Sequence, residues 1–372
     1  MNTISISRRK FAHLLSVGAA AAVVRPALPL AAESPARSTS TGAVVRLSSN
    51  ENPYGPSLKA HQAMQGAFDE CCRYPDVQNE VLIDKLARIN SVNRDQIVLG
   101  DGSSEILKLS AEAFTGPTQG KLVAADPTFE AILEYATADG ADVVKVPLTP
   151  SFGHDLEKMG ATAQKGLIYV CNPNNPTASI TPKQALREFI AKTPRDTMIL
   201  VDEAYFHYAD SPDYESAIPL VKGHPNLIVS RTFSKIYGMA GLRCGYCVAQ
   251  KETIQRMHPF QMWDSVNVMA LAAATASLDD ADQVTNGRHL ISEAKSFVTA
   301  ELNKMGYKQI PSQANFIMFD CKRPVVPLIK ALKDRNVQVG RLFPALPNHM
   351  RLTIGKKSEM ESFVSAFKQV MA

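Results

Sequence analysis

Ser230-Arg231-Thr232-Phe233-Ser234-Lys235-Ile236-Tyr237-Gly238-Met239-Ala240-Gly241-Leu242-Arg243 is the stretch from which the rest of the chain can be read. The apolar run before it, Leu227-Ile228-Val229, has the character of a buried strand that delivers Ser234 and Lys235 at its end. Gly238 and Gly241 give the next loop room to fold back, and Gly241 to Ala249 starts another strand-like segment. Lysine, serine and arginine are thus concentrated where strand ends meet a loop, a place where α/β sheets mount chemistry. A lysine in a cationic, partly desolvated pocket gives up its proton more easily, as an imine-forming amine must. On that chemistry Lys235 forms a Schiff base with pyridoxal phosphate, and Ser234 and Arg243 grip the phosphate. A solvated loop with two ordinary cations is the competing reading, and the stretch alone does not choose between them.

The surrounding chain is that of a large globular protein. Its 372 residues are 45% hydrophobic and 20% charged, enough for two domains or a large and a small lobe. A net charge of +4 without a basic stripe interleaved with aromatics gives no nucleic-acid footprint. Residues 1–32 differ in kind. Ser7-Arg8-Arg9-Lys10-Phe11, an apolar run from Leu14 to Val24 and the small residues Ala31-Ala32 read as a signal peptide of twin-arginine type. The expectation is a periplasmic or exported protein, otherwise a cytoplasmic one. The run is too short and alanine-rich for a stable membrane anchor. Residues 33–44 are a polar linker. The six cysteines form no disulfide framework: Cys171, Cys244 and Cys247 sit in apolar strand patterns, and only the adjacent Cys71-Cys72 is left open. The eight histidines lack ligand spacing, so no metal site is expected.

Other stretches carry chemistry of their own. Gln96 to Gly100 reads as a strand broken by Asp101-Gly102-Ser103-Ser104-Glu105 before a helix. That is a phosphate cradle at a helix start, or simply a helix cap. Lys121 to Ala125 is a strand ending at Asp126-Pro127-Thr128-Phe129. Gly166 to Cys171 leads into Asn172-Pro173-Asn174-Asn175-Pro176-Thr177, where two prolines fix a loop rich in amide donors. Thr197 to Val201 ends at Asp202-Glu203-Ala204-Tyr205, and strand alternation turns Glu203 away from Asp202. Leu47 to Ser57 is polar and turn-rich; Met262 to Leu278 and Gly287 to Met305 have helical character.

Thr232-Phe233-Ser234-Lys235 followed by Gly238 to Tyr246 closely resembles the lysine motif of class I/II aminotransferases, and within them the histidinol-phosphate aminotransferase branch. The Gly-Ser-Ser, Asn-Pro-Asn-Asn-Pro-Thr and Asp-x-x-Tyr motifs and a C-terminal Arg351-Leu352-Thr353-Ile354-Gly355 follow in that family's order over residues 45–372. The resemblance implies an α/β protein of the pyridoxal-phosphate-dependent transferase fold type I. It would have a large domain around a mostly parallel seven-stranded sheet and a small α/β domain from both chain ends. On this sequence that places the N-terminal arm and part of the small domain at 45–72, the cofactor-binding domain at 73–280 and the small C-terminal domain at 281–372. The resemblance also assigns roles. Lys235 carries the cofactor, and Gly102, Ser103, Ser104, Ser234 and Arg243 hold its phosphate. Phe129 stacks on the ring in place of the branch's usual tyrosine. Asn175 and Tyr205 reach the phenolic oxygen, and Asp202 pairs with the protonated ring nitrogen. Tyr74 crosses a homodimer interface to the partner's cofactor. Arg351 clamps the substrate carboxylate, with Asn175 and Tyr54 beside the substrate. Lys235, Asp202 and Tyr205 form the catalytic set.

The implied activity is transfer of an amino group from an L-amino acid, or a histidinol-phosphate-like amine, to a 2-oxo acid such as 2-oxoglutarate. Two features of the sequence qualify it. Where the family continues its Asn-Pro loop with glycine, this chain has Ala178. Where the branch carries an arginine for the substrate phosphate, it has Gly340 with Arg341 one place on, which strand alternation would turn to the other face. The donor is therefore open to other amino acids. Decarboxylation, racemisation or oxidation on the same scaffold are rival outcomes, and a non-catalytic binding protein of this fold is a third.

Overall fold

Gly166–Cys171, Thr197–Asp202 and Leu227–Thr232 are buried along their whole length, as strands covered on both faces are. They form the middle of a seven-stranded sheet in a computed structural model that describes residues 44–163 and 165–372. Residues 1–32, read above as a signal peptide, and residues 33–43 of the expected linker lie outside the described residues.

In chain order the strands are β1 Val45–Leu47, β2 Ile97–Gly100, β3 Lys121–Asp126, β4 Val143–Pro147, β5 Gly166–Cys171 and β6 Thr197–Asp202. There follow β7 Leu227–Thr232, β8 Gly245–Ala249, β9 Phe316–Asp320, β10 Val337–Val339 and β11 His349–Thr353. The main sheet runs β2-β8-β7-β6-β5-β3-β4, and only the pairings of β8 with β2 and β7 are antiparallel. The fold is thus α/β with a mostly parallel sheet. Alternation along each strand splits the apolar side chains between two cores. Ile168, Val170, Ile199, Val201, Leu227 and Val229 face one. Leu167, Tyr169, Met198, Leu200 and Ile228 face the other.

Two small sheets complete the described chain. β1 pairs in parallel with β10, and β11 pairs with β9 with Arg351 opposite Met318. The front of the described chain is therefore stitched to its last third. Val44–Ala372 forms one compact unit.

Two helix boundaries differ from the sequence reading. The alanine-rich helix begins at Val268, not Met262, because Asn267 caps it by accepting the Ala270 N–H at 2.9 Å. Met262 and Trp263 instead stand out from a loop, Trp263 being 94% exposed. The long helix expected from Gly287 starts earlier, at Ala281, and ends at Lys304.

Candidate active site

The parallel strands β3, β5, β6 and β7 all end on one side of the sheet, and a cavity of about 600 Å³ opens there. Each strand hands over a polar residue at or just past its C-terminal end: Thr128 after β3 (with the aromatic Phe129 beside it), Asn175 after β5, Asp202 on β6, Ser234 and Lys235 after β7. The helix Gly102–Phe114 points its first turn, with Ser103 and Ser104, into the same space. The opposite wall comes from the N-terminal arm (Ser48, Ser49, Asn50) and from Arg341, Phe343 and Arg351.

At the helix end, Gly102 has φ 71°, and a Cβ there would run into the Arg243 guanidinium. Arg243 donates to Asp101 O at 3.1 Å and Ala240 O at 3.0 Å, and its Nη1 lies 3.5 Å from Ser234 Oγ. The sequence allows Ser103 and Ser104 to act as a helix cap, but the cap position is Asp101 and the serines sit inside the first turn. Their hydroxyls and the unpaired N–H groups of that turn leave a concave, electropositive end beside Arg243 and Ser234, suited to a dianion.

Asp202 occupies the floor and is 2% exposed. Its Oδ2 accepts the Tyr169 hydroxyl at 2.9 Å, while Oδ1 is buried without a partner. Burial pushes its pKa up to about 6 against the Tyr169 bond, the Ala204 N–H and Lys235, which act the other way. Lys235 is held down at about 8, first by burial and then by the Arg351 charge. Its ammonium donates to Asn50 O at 3.1 Å and lies 5.4 Å from the Tyr205 ring centre. The buried Tyr205 hydroxyl accepts from Asn50 Nδ2 at 3.1 Å.

Arg351, 9% exposed, donates through Nη1 to Asn175 Oδ1 at 2.8 Å and through Nη2 to Ser48 O, and its Nε has no partner. Asn175 thereby spends its acceptor on arginine and keeps its amide N–H groups for the cavity. The loop that carries it is tied to β3 by Asn174, which accepts from Thr128 Oγ1 and donates to Pro127 O. Ala178, where the family favours glycine, takes φ 60° while fully buried, so the loop closes at the cost of local strain.

Lys235, Asp202, Tyr205, Ser103, Ser104, Phe129, Asn175, Ser234, Arg243 and Arg351 all line one cavity, and Gly102 backs it against Arg243. Tyr54 and Tyr74 do not line it. Tyr54 is exposed with Lys356 over its ring, and Tyr74 is 80% exposed in a crease with Pro75 and Trp263. Glu203 does turn away from Asp202, into a buried pair with Arg231 at 2.9 Å. Arg341 contradicts the alternation argument. β10 stops at Val339, so alternation does not extend to residue 341, and its side chain lines the cavity mouth paired with Glu130. A Cβ on Gly340 would meet Arg351 O at 2.7 Å. Sequence reasoning missed Tyr169, Asn50, Thr353 and Glu130. Only the strand alternation that puts Tyr169 and Cys171 on one face could have signalled any of them.

All six cysteines are free thiols; Cys171, Cys244, Cys247 and Cys321 are buried and Cys71 and Cys72 exposed. Burial pushes Cys244 and Cys247 up to about 12, which does not suit a redox pair. Among the described residues no cluster of His, Cys, Asp and Glu could hold a metal, and no helix is long and apolar enough to cross a membrane.

The profile of the family "Aminotransferase class I and II" matches residues 43–367. Histidinol-phosphate aminotransferase of Moorella thermoacetica is 38% identical over 334 residues, covering 88% of this chain and 86% of the relative. Histidinol-phosphate aminotransferase 2 of Pseudomonas aeruginosa is 37% identical, covering 89% and 90%. Among solved structures, histidinol-phosphate aminotransferase from Sinorhizobium meliloti in complex with pyridoxal-5'-phosphate superposes with a TM-score of 0.82 at 26% identity, covering 89% of this chain and 90% of that one. L-threonine-O-3-phosphate decarboxylase from Porphyromonas gingivalis shares the fold, with a TM-score of 0.77 at 24% identity over 88% and 99% of the chains.

Proposed function

The chain belongs to the class I and II aminotransferase family and is a pyridoxal-phosphate-dependent transaminase, and from that premise we propose which of its residues hold the cofactor and the substrate. The observation that carries the assignment is that Lys235 and Asp202, at the ends of the adjacent strands β7 and β6, share one cavity with an anion cradle at one end and Arg351 at the other. The residues fit the cofactor. A buried carboxylate oxygen without a partner suits a protonated ring nitrogen. Glycine at 102, Ser103, Ser104, Ser234 and Arg243 suit the phosphate, Phe129 suits the ring face, and Asn175 and Tyr205 suit the phenolic oxygen.

Bound pyridoxal phosphate supplies an electron sink for the charge that develops at the substrate Cα. The chain supplies the rest. Arg351 fixes the substrate α-carboxylate in a two-bond fork, with Asn175 holding the guanidinium in plane. Lys235 Nζ would take the proton from the substrate Cα and deliver it to the cofactor's C4′ carbon, on the other side of the amino nitrogen, and a pKa near 8 suits an amine that both takes and gives a proton near neutrality. Asp202, ionised above about 6, holds the ring nitrogen's proton. The arm over Lys235 keeps water from the exchange.

The proposed amino donor is an L-amino acid, with a phosphorylated amine as the second reading because Arg341 lines the cavity. Arg341 at the mouth is already paired with Glu130, and Gly340 has no room for a longer side chain beside Arg351. The apolar side chains of Ile329, Val339 and Phe343 line the same wall. We also assign the protein to a homodimer in which Tyr74 reaches the partner's site. Exposed Leu58, Phe68, Tyr74, Val77, Met262 and Trp263 support this, since so many large apolar side chains ask for a covering surface. The twin-arginine pattern in residues 1–32 supports export of the folded, loaded enzyme to the periplasm.

An anaerobic half-reaction tests the activity. The loaded protein is mixed with a panel of amino acids and with histidinol phosphate, and its absorption is followed. Conversion of the cofactor to its amine form with one equivalent of 2-oxo acid is expected for amino acids. Carbon dioxide, racemised donor or a requirement for oxygen would move the protein to one of the rival chemistries.

A further inference from the structure

Asn50 is 1% exposed and holds a left-handed backbone at φ 54°, which asparagine tolerates better than most residues. Its side chain is fixed by the hydroxyl of Thr353. That hydroxyl accepts the Asn50 backbone N–H at 2.9 Å, so its one proton is available for Asn50 Oδ1, 3.1 Å away. With Oδ1 so committed, Nδ2 is the end that faces Tyr205 Oη, at 3.1 Å. An N–H aimed at a phenol oxygen occupies a lone pair there, and the phenol's own proton has to point elsewhere. Tyr205 lines the cavity, and among the described residues no protein acceptor takes that proton.

We propose that Asn50 is a positioning residue whose amide, locked by Thr353, turns the Tyr205 proton into the cavity so that the tyrosine donates to the cofactor's phenolic oxygen. This rests on the reading of Tyr205 given above. Anchoring the arm does not require the Asn50 side chain. Asn315 Nδ2 donates to Asn50 O at 3.1 Å and Glu51 O at 3.2 Å, and Asn52 Nδ2 donates to Ile236 O at 2.8 Å. Thr353 lies two residues beyond Arg351 on β11, so both side chains stand on the same face of one strand. The carboxylate clamp and the Tyr205 hydroxyl are thereby joined through a single rigid element and one amide. The charged and titratable groups around Tyr205 are Lys235, Asp202, Arg351, Cys171 and Tyr208.

The test is a pH titration of the loaded enzyme's visible absorption, which reports the proton shared between the lysine-linked nitrogen and the phenolic oxygen. A donor to that oxygen stabilises its anionic form and lowers the midpoint. Asn50→Gly keeps the left-handed backbone without strain and removes only the amide. It should raise the midpoint by about half to one pH unit, about a three- to tenfold change in proton affinity. Tyr205→Phe should raise it at least as far, and adding Asn50→Gly to Tyr205→Phe should change nothing more. Thr353→Val should raise the midpoint as Asn50→Gly does, whereas Thr353→Ser, which keeps the hydroxyl, should not. An unchanged midpoint in Asn50→Gly, or an equal shift in the Tyr205→Phe background, overturns the proposal. If Tyr205→Phe itself leaves the midpoint in place, the assignment of Tyr205 falls and the proposal with it. Absence of any visible band in the wild-type protein plus cofactor would instead refute the cofactor site.

Discussion

Replacing Asp202 with asparagine should stabilise the cofactor-free protein while disabling the loaded one. Asp202 is 2% exposed, with one oxygen bonded to Tyr169 and the other unpartnered. Burial raises its pKa from 3.8 to about 6. As pH climbs, the unfolded chain ionises first, so stability falls across the window from 3.8 to about 6 and stays lower above it. A displacement of that size amounts to about 3 kcal/mol at neutral pH. Asparagine keeps the shape and can still accept from Tyr169, with no charge to bury. In urea denaturation of the stripped proteins, Asp202→Asn should be more stable than wild type by up to about 3 kcal/mol near pH 7.5, and the gap should close toward about pH 4. The loaded variant should lose about 10²–10³-fold in kcat, because nothing then holds the proton on the ring nitrogen. A variant less stable than wild type near neutrality, or a gap that does not change with pH, would refute the reasoning.

Four further outcomes follow from other groups of the site. The neutral form of Lys235 grows about tenfold per pH unit until its pKa of about 8, so the rate of cofactor uptake by stripped enzyme should rise and then level there. Arg351→Gln, by removing a nearby positive charge, should move the levelling point upward; stopped-flow absorption reads both. Gly102→Ala would press a methyl against Arg243 at φ 71°, so cofactor affinity should fall at least tenfold by equilibrium titration, with about 1–2 kcal/mol of stability lost. Glu130→Gln should free Arg341 and lower KM for donors with a distal carboxylate by about two- to fivefold, the range of an exposed ion pair, while leaving apolar donors unchanged.

The central sheet was legible because β5, β6 and β7 are unbroken apolar runs, a signature of strands covered on both faces. The polar residues at their ends were legible for the same reason: a strand that stops at Asp202, or two residues before Ser234, leaves a polar side chain at the sheet's rim. Alternation then placed Glu203 opposite Asp202, where the structure pairs it with Arg231. The same rule failed at Arg341, because β10 is only three residues long and alternation ends with the strand. Asn50 and Thr353, 303 residues apart in sequence, meet only after β1 pairs with β10 and β11 folds beside them. No local pattern records that encounter. The start of the helix at Val268 was missed because the sequence reading groups Met262 with the alanine-rich run that begins only at Ala270, whereas the Asn267 cap that decides the boundary is a single-residue signal.

The most direct test is to locate the cofactor's attachment. Borohydride reduction of the loaded protein, tryptic digestion and mass spectrometry should find the reduced cofactor on Lys235, within a peptide running from Thr232 to Arg243 because cleavage after the modified lysine is blocked. The label on another lysine, or no label at all, would contradict the site.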